Sequence, residues 1–93
     1  MDVEITFDPA KNERNIRERG LSFERVVDFD FATAEISTYF RNDEYRFAAK
    51  GLIDNRVYFL VFIPTMSGIR VISFRKANKR EVRSYEESRR NLE

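Results

Sequence analysis

The sequence of 93 residues contains no cysteine, no histidine and no tryptophan, and only three glycines and two prolines. Without cysteine there is neither a disulfide framework nor a thiolate metal site, so the composition does not point to an oxidising compartment. Without histidine, any proton transfer near neutral pH has to come from Asp, Glu, Lys, Arg, Tyr, Ser or the backbone. The scarcity of glycine and proline is typical of a chain that consists mostly of regular secondary structure.

Long apolar runs are missing as well. The longest, residues 57–63, has seven members, whereas a membrane-spanning helix needs roughly 20. The N-terminus is acidic and lacks the basic and apolar regions of a signal peptide. We therefore expect a single compact domain over residues 1–93, located in the cytoplasm and without a membrane partner.

The charges are nearly balanced in number but unevenly distributed along the chain. Residues 1–69 carry nine basic and 12 acidic side chains, a net charge of −3. Residues 70–93 carry eight basic and four acidic side chains, a net charge of +4. This segregation indicates a polyanionic partner such as nucleic acid, although the solvated face of a C-terminal helix produces the same pattern.

The first third of the chain predicts one strand and two helices. Apolar and polar residues alternate over residues 3–7, as in a half-buried strand. Asp8 is a preferred N-cap and Pro9 suits the first helical position, so a helix should run from Pro9 to about residue 19 and end at Gly20. Ser22 caps a second, short helix, whose predicted inner face consists of Phe23, Val26, Val27 and Phe31.

The rest of the chain predicts four strands and a last helix. The strands are residues 34–40, 44–53, 56–63 and 69–75. The second of these is either a strand with one core face and one charged face or an edge strand, whereas the third is apolar on both faces, as a central strand should be. Asn78 and Glu81 form a capping-box pattern at the start of a helix that runs to about residue 91, with Val82, Tyr85 and Leu92 as its apolar anchors.

The element order is therefore β-α-α-β-β-β-β-α. Short turns join the four later strands, so neighbouring strands should run antiparallel. We expect a small α+β domain with a twisted antiparallel sheet, two N-terminal helices and one C-terminal helix.

Three groups of residues carry a resemblance to a known family. The first comprises Phe7, Asp8, Pro9, Lys11, Asn15, Arg19, Gly20, Leu21, Ser22, Phe23 and Glu24, the second Glu44, Arg46 and Gly51, and the third Arg70, Ser73, Arg75, Lys76, Ala77, Glu81, Tyr85 and Glu86. In this order and spacing, residues 5–87 resemble the BrnT family of toxins from type II toxin–antitoxin systems.

The resemblance implies a RelE-like fold and a ribonuclease that cleaves RNA without metal or cofactor and so arrests translation. It also implies a BrnA-like antitoxin, whose ribbon-helix-helix part dimerises and binds operator DNA. The complex would contain two toxins with two antitoxins, and the toxin would reach operator DNA only through its partner. Phe7 stands where relatives commonly have Trp, and Arg19 where they commonly have His. These departures keep open an alternative, a non-catalytic module with a degenerate active site that binds an antitoxin or nucleic acid.

RNA is cleaved when its 2′-hydroxyl attacks the adjacent phosphorus, which requires alignment, charge neutralisation and proton transfer. Arginine suits the charge neutralisation because its guanidinium binds two phosphate oxygens at once, and carboxylates, Lys or Tyr can transfer protons. The candidate catalytic residues are Glu44, Arg46, Arg70, Arg75, Glu81 and Tyr85, and the candidate RNA phosphate-binding residues are Lys11, Lys76, Lys79 and Arg80.

Each candidate also has a purely structural interpretation. Glu44 and Arg46 form a surface ion pair, and Lys50 on the same face protects a strand edge. Tyr85 anchors the last helix to the sheet, and the cations near the start of that helix are solvated surface residues. Asp28 and Asp30 form a close carboxylate pair without a third ligand, so we expect no metal site.

Overall fold

A computed structural model describes residues 3–92. In chain order its elements are β1 (Glu4–Thr6), α1 (Pro9–Arg19), a 3₁₀ helix (Phe23–Asp28), β2 (Glu35–Arg41), β3 (Glu44–Ile53), β4 (Arg56–Pro64), β5 (Gly68–Lys76) and α2 (Lys79–Arg90). The five strands form one sheet in the order β1-β5-β4-β3-β2. No helix within these residues is both long and apolar enough to cross a membrane.

The sheet is mostly antiparallel, which confirms a small α+β domain. The pairs β2–β3, β3–β4 and β4–β5 are antiparallel. The expectation of a wholly antiparallel sheet is wrong at one edge, because β1 pairs with β5 in parallel. β1 and β5 are far apart in the sequence, so no hairpin turn sets their relative direction, and that direction cannot be read from turn lengths.

Both strand connections around β3 are two-residue turns with left-handed backbone. Asn42 and Asp43 have φ of 53° and 61°, and Asp54 and Asn55 have φ of 48° and 67°. Positive φ at both central residues defines the type I′ turn, which matches the natural twist of a hairpin. These turns fix the register, and β3 lies between β2 and β4, so it is not an edge strand.

The predicted helix caps are confirmed. The Asp8 side chain accepts a hydrogen bond from the Ala10 amide at 2.9 Å, and Gly20 ends α1 with φ of 66°. At α2, Asn78 and Glu81 each accept a hydrogen bond from the other's amide at 2.9 Å. The prediction that Leu92 anchors α2 is wrong, because α2 ends at Arg90 and Leu92 is exposed.

The second helix is a 3₁₀ helix, and this changes which of its residues are buried. Ser22 caps it as predicted, with its hydroxyl accepting from the Glu24 amide at 3.1 Å. Phe23 and Val26 are buried, whereas Val27 is 71% exposed. A 3₁₀ helix has three residues per turn, so positions i and i+3 share one face and position i+4 turns away. The predicted inner face, which assumed an α-helix, is therefore wrong for Val27.

The core fills one face of the sheet. The 3₁₀ helix and the segments on either side of it cover this face, and α2 lies against the opposite face, where Tyr85 packs near Leu52 and Val57. The buried core residues are Leu21, Phe23, Val26, Phe29, Ala49, Ile53, Leu60, Phe62, Ile69, Val71 and Phe74. Gly51 belongs to this layer because a Cβ there would come within 2.6 Å of the Phe29 ring.

One buried polar side chain, Asn15 on α1, ties the helix to the sheet. Its Nδ2 donates to the carbonyl oxygens of Leu21 and Phe74, both at 2.9 Å. Its Oδ1 accepts from Arg19 at 2.8 Å. The Phe74 carbonyl lies on the part of β5 that β1 does not reach, so Asn15 satisfies a backbone group at an otherwise free strand edge.

Replacing Asn15 with Ala should lower the free energy of unfolding by about 2 kcal/mol, because two backbone carbonyls lose their buried donor. Urea denaturation followed by circular dichroism measures this loss. Arg14→Ala, on the exposed side of the same helix, is the matched control and should change stability by less than about 0.5 kcal/mol. Equal stabilities of Asn15→Ala and Arg14→Ala would contradict the role given to Asn15.

Candidate functional site

The face of the sheet opposite the core carries most of the predicted site residues. Lys50, Phe59 and Arg75 are cross-strand neighbours on β3, β4 and β5. On β4, Ile63 is the cross-strand neighbour of Arg70. On its other side Ile63 lies beside Arg46, because Phe47 pairs with Phe62 one position further along β3. Glu44 is two residues before Arg46 on the same strand and so shares this face. We call the surface formed by Glu44, Arg46, Lys50, Arg70 and Arg75 the basic face.

The basic face has two cationic rows with an uncharged strip between them. Four residues along β3 separate Arg46 from Lys50, a distance of about 13 Å. The strip between the rows consists of Ala48, Val61 and Ser73, which are neighbours across the same three strands. Two strand spacings, about 10 Å, separate Arg46 from Arg70 within one row. A shallow floor bounded by guanidinium groups is suited to an extended polyanion.

Arg75 is held in a fixed orientation by two contacts. Its Nη1 and Nη2 donate to the two carboxylate oxygens of Glu81 at 2.8 and 2.9 Å. Its guanidinium carbon lies 4.6 Å from the centre of the Phe59 ring. A bidentate carboxylate and an aromatic face together immobilise a side chain that would otherwise sample many rotamers.

Glu81 is ionised, and its two carboxylate oxygens already accept hydrogen bonds from Arg75 and from the Asn78 amide. The hydrogen bonds from Arg75 lower the pKa of Glu81 below its ordinary value, and the Asn78 amide acts in the same direction, against the effect of burial. A carboxylate with a lowered pKa that already accepts three hydrogen bonds is a poor proton acceptor at neutral pH. Glu81 therefore positions Arg75.

Arg46 and Glu44 form a second, looser pair. Arg46 Nη2 donates to Glu44 Oε2 at 3.1 Å, and the two side chains are 16% and 43% exposed. Within residues 3–92, the Arg46 Nε is buried and has no hydrogen-bond partner. A buried guanidinium N–H without a partner is costly.

Lys50 has a role that the sequence did not reveal. It lies on an inner strand, so the interpretation as an edge-protecting charge is wrong. Its Nζ donates to Glu35 Oε1 at 3.0 Å and to Ser84 Oγ at 3.2 Å, which links β2, β3 and α2 beside the Arg75–Glu81 pair. Glu35 and Ser84 belong to no sequence motif, and only the strand register and the packing of α2 on the sheet show that they meet.

Two predicted site residues lie away from the basic face. Tyr85 is buried against Leu52 and Val57, with its hydroxyl 3.5 Å from the Thr33 hydroxyl. This burial favours the anchoring interpretation over contact with RNA. Lys11 lies on α1 and borders a separate cavity at the edge of β5, which Asn15, Ile72 and Ser73 also line.

The remaining predicted cations continue from the basic face at its Arg75 end. Lys76 ends β5, and Lys79 and Arg80 begin α2, all three exposed. Sequence reasoning missed a cavity of about 510 Å³ at this corner. Its lining includes Arg19, Arg25, Tyr58, Arg75 and Lys76. The one sequence signal for this corner was Arg19, which stands where relatives commonly have His and which lines the cavity.

Asp28 and Asp30 have structural partners. Asp28 accepts from Arg25 at 3.1 Å, and Asp30 accepts from the Thr33 hydroxyl at 2.7 Å and from two backbone amides. The Thr33 hydroxyl is the main reason why the pKa of Asp30 is lowered. Within residues 3–92, no three Asp or Glu side chains converge as metal ligands would.

Replacing Glu81 with Gln should lower the free energy of unfolding by about 2 kcal/mol at pH 7, because Arg75 loses its charged partner. The pKa of Glu81 is lower in the folded state than its ordinary value of 4.5, so this contribution is complete above that pH. It is lost as the pH falls through the lowered pKa. Urea denaturation of both proteins between pH 7 and 3 measures the difference. Glu86→Gln, on the exposed side of α2, is the control, and a difference for Glu81→Gln that does not shrink in acid would contradict the assignment.

Known proteins share both the sequence pattern and the fold. Residues 7–81 match the BrnT family, described as the ribonuclease toxin BrnT of type II toxin–antitoxin systems. The 1.1 Å crystal structure of the Brucella abortus ribonuclease toxin BrnT is similar, with 28% sequence identity and a TM-score of 0.63. The match covers 84% of this chain and 100% of that one. No curated protein sequence matches the chain.

The family match extends from Phe7 to Glu81 and so includes the capped first helix, the strands of the basic face and the Arg75–Glu81 pair. The chain therefore belongs to the BrnT family of ribonuclease toxins of type II toxin–antitoxin systems.

Proposed function

We propose that this chain is a RelE-like endoribonuclease that cleaves RNA on its basic face without a metal ion, and thereby arrests translation in the cytoplasm. The family implies an antitoxin partner, and we propose a BrnA-like ribbon-helix-helix protein in a complex of two toxins with two antitoxins. The observation that carries the proposal is the convergence of Arg46, Arg70 and Arg75 on one face of the sheet, beside Glu44 and Glu81.

The arginines supply the positive charge that phosphoryl transfer needs. Arg70 is exposed and belongs to no ion pair within residues 3–92, and Arg46 keeps an unsatisfied Nε. These two side chains bind the oxygens of the phosphate at the cleavage site. Arg75, oriented by Glu81 and Phe59, adds a fixed charge at the other row. Preorganised cations stabilise the extra negative charge on phosphorus without reorganising during the reaction, so a metal ion is not needed for that task.

The two carboxylates of the site differ in what they are free to do. Glu81 is held by Arg75, whereas Glu44 makes one 3.1 Å contact and is partly exposed. We assign the proton transfer to Glu44. It accepts the proton of the 2′-hydroxyl as the 2′-oxygen bonds to phosphorus, and the bond from phosphorus to the 5′-oxygen breaks. The leaving 5′-oxygen takes a proton from water, and the products are a 2′,3′-cyclic phosphate and a 5′-hydroxyl end.

Lys76, Lys79 and Arg80 bind neighbouring phosphates of the same strand, because they continue the positive surface beyond Arg75. Lys11, on α1 outside the basic face, and the buried Tyr85 have no part in this proposal. The second candidate function, a binding module without catalysis, is favoured by one observation. Tyr85 is buried, so the one tyrosine among the candidate residues is not available as a proton donor.

Purified protein should cut single-stranded RNA in the presence of EDTA, and Arg70→Ala should cut it about 100-fold more slowly, because one charge contact to the transition state is lost. Gel analysis of labelled RNA measures both rates. Arg14→Ala removes the same charge from α1, outside the basic face, and should retain the wild-type rate. Glu44→Gln in the same assay should also be slow while binding RNA normally.

Three outcomes would contradict parts of this proposal. Cleavage that requires Mg²⁺ would overturn the metal independence, and equal rates for Arg70→Ala and Arg14→Ala would overturn the site. Intact RNA at high protein excess, together with salt-sensitive RNA binding, would establish the non-catalytic binding module instead.

Induced expression in bacteria should stop growth and degrade cellular RNA, and expression of Arg70→Ala to the same level should not. Co-expression of the antitoxin encoded beside the toxin gene should restore growth. Growth curves and total-RNA gels provide the measurement. If the wild-type protein and Arg70→Ala inhibit growth equally, the toxicity does not come from the basic face.

A further inference from the structure

The strand β2 leaves a row of backbone groups unpaired at one edge of the sheet. Arg41 and Glu44 flank a two-residue turn and pair across the hairpin, which makes them a hydrogen-bonded pair. The alternation of an antiparallel ladder then directs the N–H and C=O groups of Ile36, Thr38 and Phe40 away from β3. Within residues 3–92, no other strand or loop pairs with these groups.

This edge lacks several of the features that normally prevent strands from pairing between molecules. β2 has seven residues and contains neither Lys nor Pro, whereas the opposite edge strand β1 has only three residues. Phe40 and Tyr45 are 59% and 67% exposed beside it, with their ring centres 5.0 Å apart. A long edge strand with exposed aromatic residues is a template for another strand.

The sequence of β2 is complementary to itself. When two copies are aligned antiparallel about Thr38, Glu35 lies opposite Arg41 of the partner subunit, which places opposite charges together at both ends. Ile36 lies opposite Phe40 of the partner subunit, and Ser37 opposite Tyr39 of the partner subunit. Thr38 meets its own copy on the two-fold axis. An isologous contact requires this match of a surface with itself.

We propose that β2 pairs with β2 of a second copy of this chain and so joins the two sheets into one of ten strands. The two-fold axis of antiparallel strand pairing is perpendicular to the sheet, so the two basic faces lie on the same side of the dimer. This inference goes beyond the proposed function and does not depend on it, because it rests on the edge geometry and the charges of β2 alone.

The contact is small, since a strand of seven residues is about 23 Å long. We therefore expect a dimer that dissociates on dilution. Glu35 also receives a hydrogen bond from Lys50 within its own chain at 3.0 Å, so charge reversal at Glu35 would disturb the monomer. Thr38 is exposed and lies on the axis, which makes it the better position for a test.

Analytical ultracentrifugation over about a hundredfold range of concentration should show the wild-type protein passing from monomer to dimer. Thr38→Lys and Thr38→Glu each place like charges opposite each other on the axis, and each should dissociate at least about tenfold more easily. An equal mixture of the two variants should regain the dimer, because Lys then faces Glu. Circular dichroism confirms that both variants are folded.

Met66→Lys and Met66→Glu introduce the same charges in the exposed loop between β4 and β5 and should dimerise as the wild type does. The inference is overturned if the wild type stays monomeric at every concentration, if either Thr38 variant keeps the wild-type dimer, or if their mixture stays monomeric. A monomer whose antitoxin binding is lost in Thr38→Lys would likewise overturn it and assign the edge to the antitoxin.

Discussion

The ion pair between Arg75 and Glu81 joins the last strand to the last helix, and the shape of the basic face depends on it. Glu81 completes the capping box of α2 and at the same time accepts both guanidinium N–H groups of Arg75 at 2.8 and 2.9 Å. The helix start, the strand end and the Phe59 ring beneath Arg75 are therefore fixed by one carboxylate. A residue that satisfies a helix N-terminus and orients a guanidinium couples the stability of the fold to the geometry of the site.

The same ion pair makes the surroundings of Glu81 different from those of Glu44, in a chain that has no histidine. Glu81 is half-buried beside a cation and stays ionised, while Glu44 makes a more open contact with Arg46. Their environments differ because α2 covers one end of the basic face and leaves the Glu44 end uncovered. Glu81 is therefore committed to orienting Arg75, whereas Glu44 is the carboxylate to which we assign the proton transfer, and such a division is common where burial and partners differ.

Local sequence signals predicted the elements well because the interactions that set them are local. The caps at Asp8, Ser22 and Asn78 and the turn at residues 54–55 were all correct, since each depends on neighbours within a few residues. The basic face was predicted only as a set of residue types, because its assembly depends on strand register. Lys50 was misinterpreted for that reason, and so was the direction of β1, which is set by packing between distant segments. Val27 was misplaced because one turn changes from 3.6 to three residues per turn.

The two edges of the sheet explain two further features of the sequence, the buried Asn15 and the exposed aromatic residues of β2. At one edge, the short β1 covers the start of β5, and the Asn15 amide satisfies the Phe74 carbonyl beyond the end of β1. A buried asparagine in a charged helix is costly unless it serves such a purpose. At the other edge, β2 keeps exposed aromatic residues and carries opposite charges at its two ends. Exposed aromatic residues on a long edge strand favour pairing with another strand, and the opposite charges at the two ends of β2 suit a second copy of the same strand.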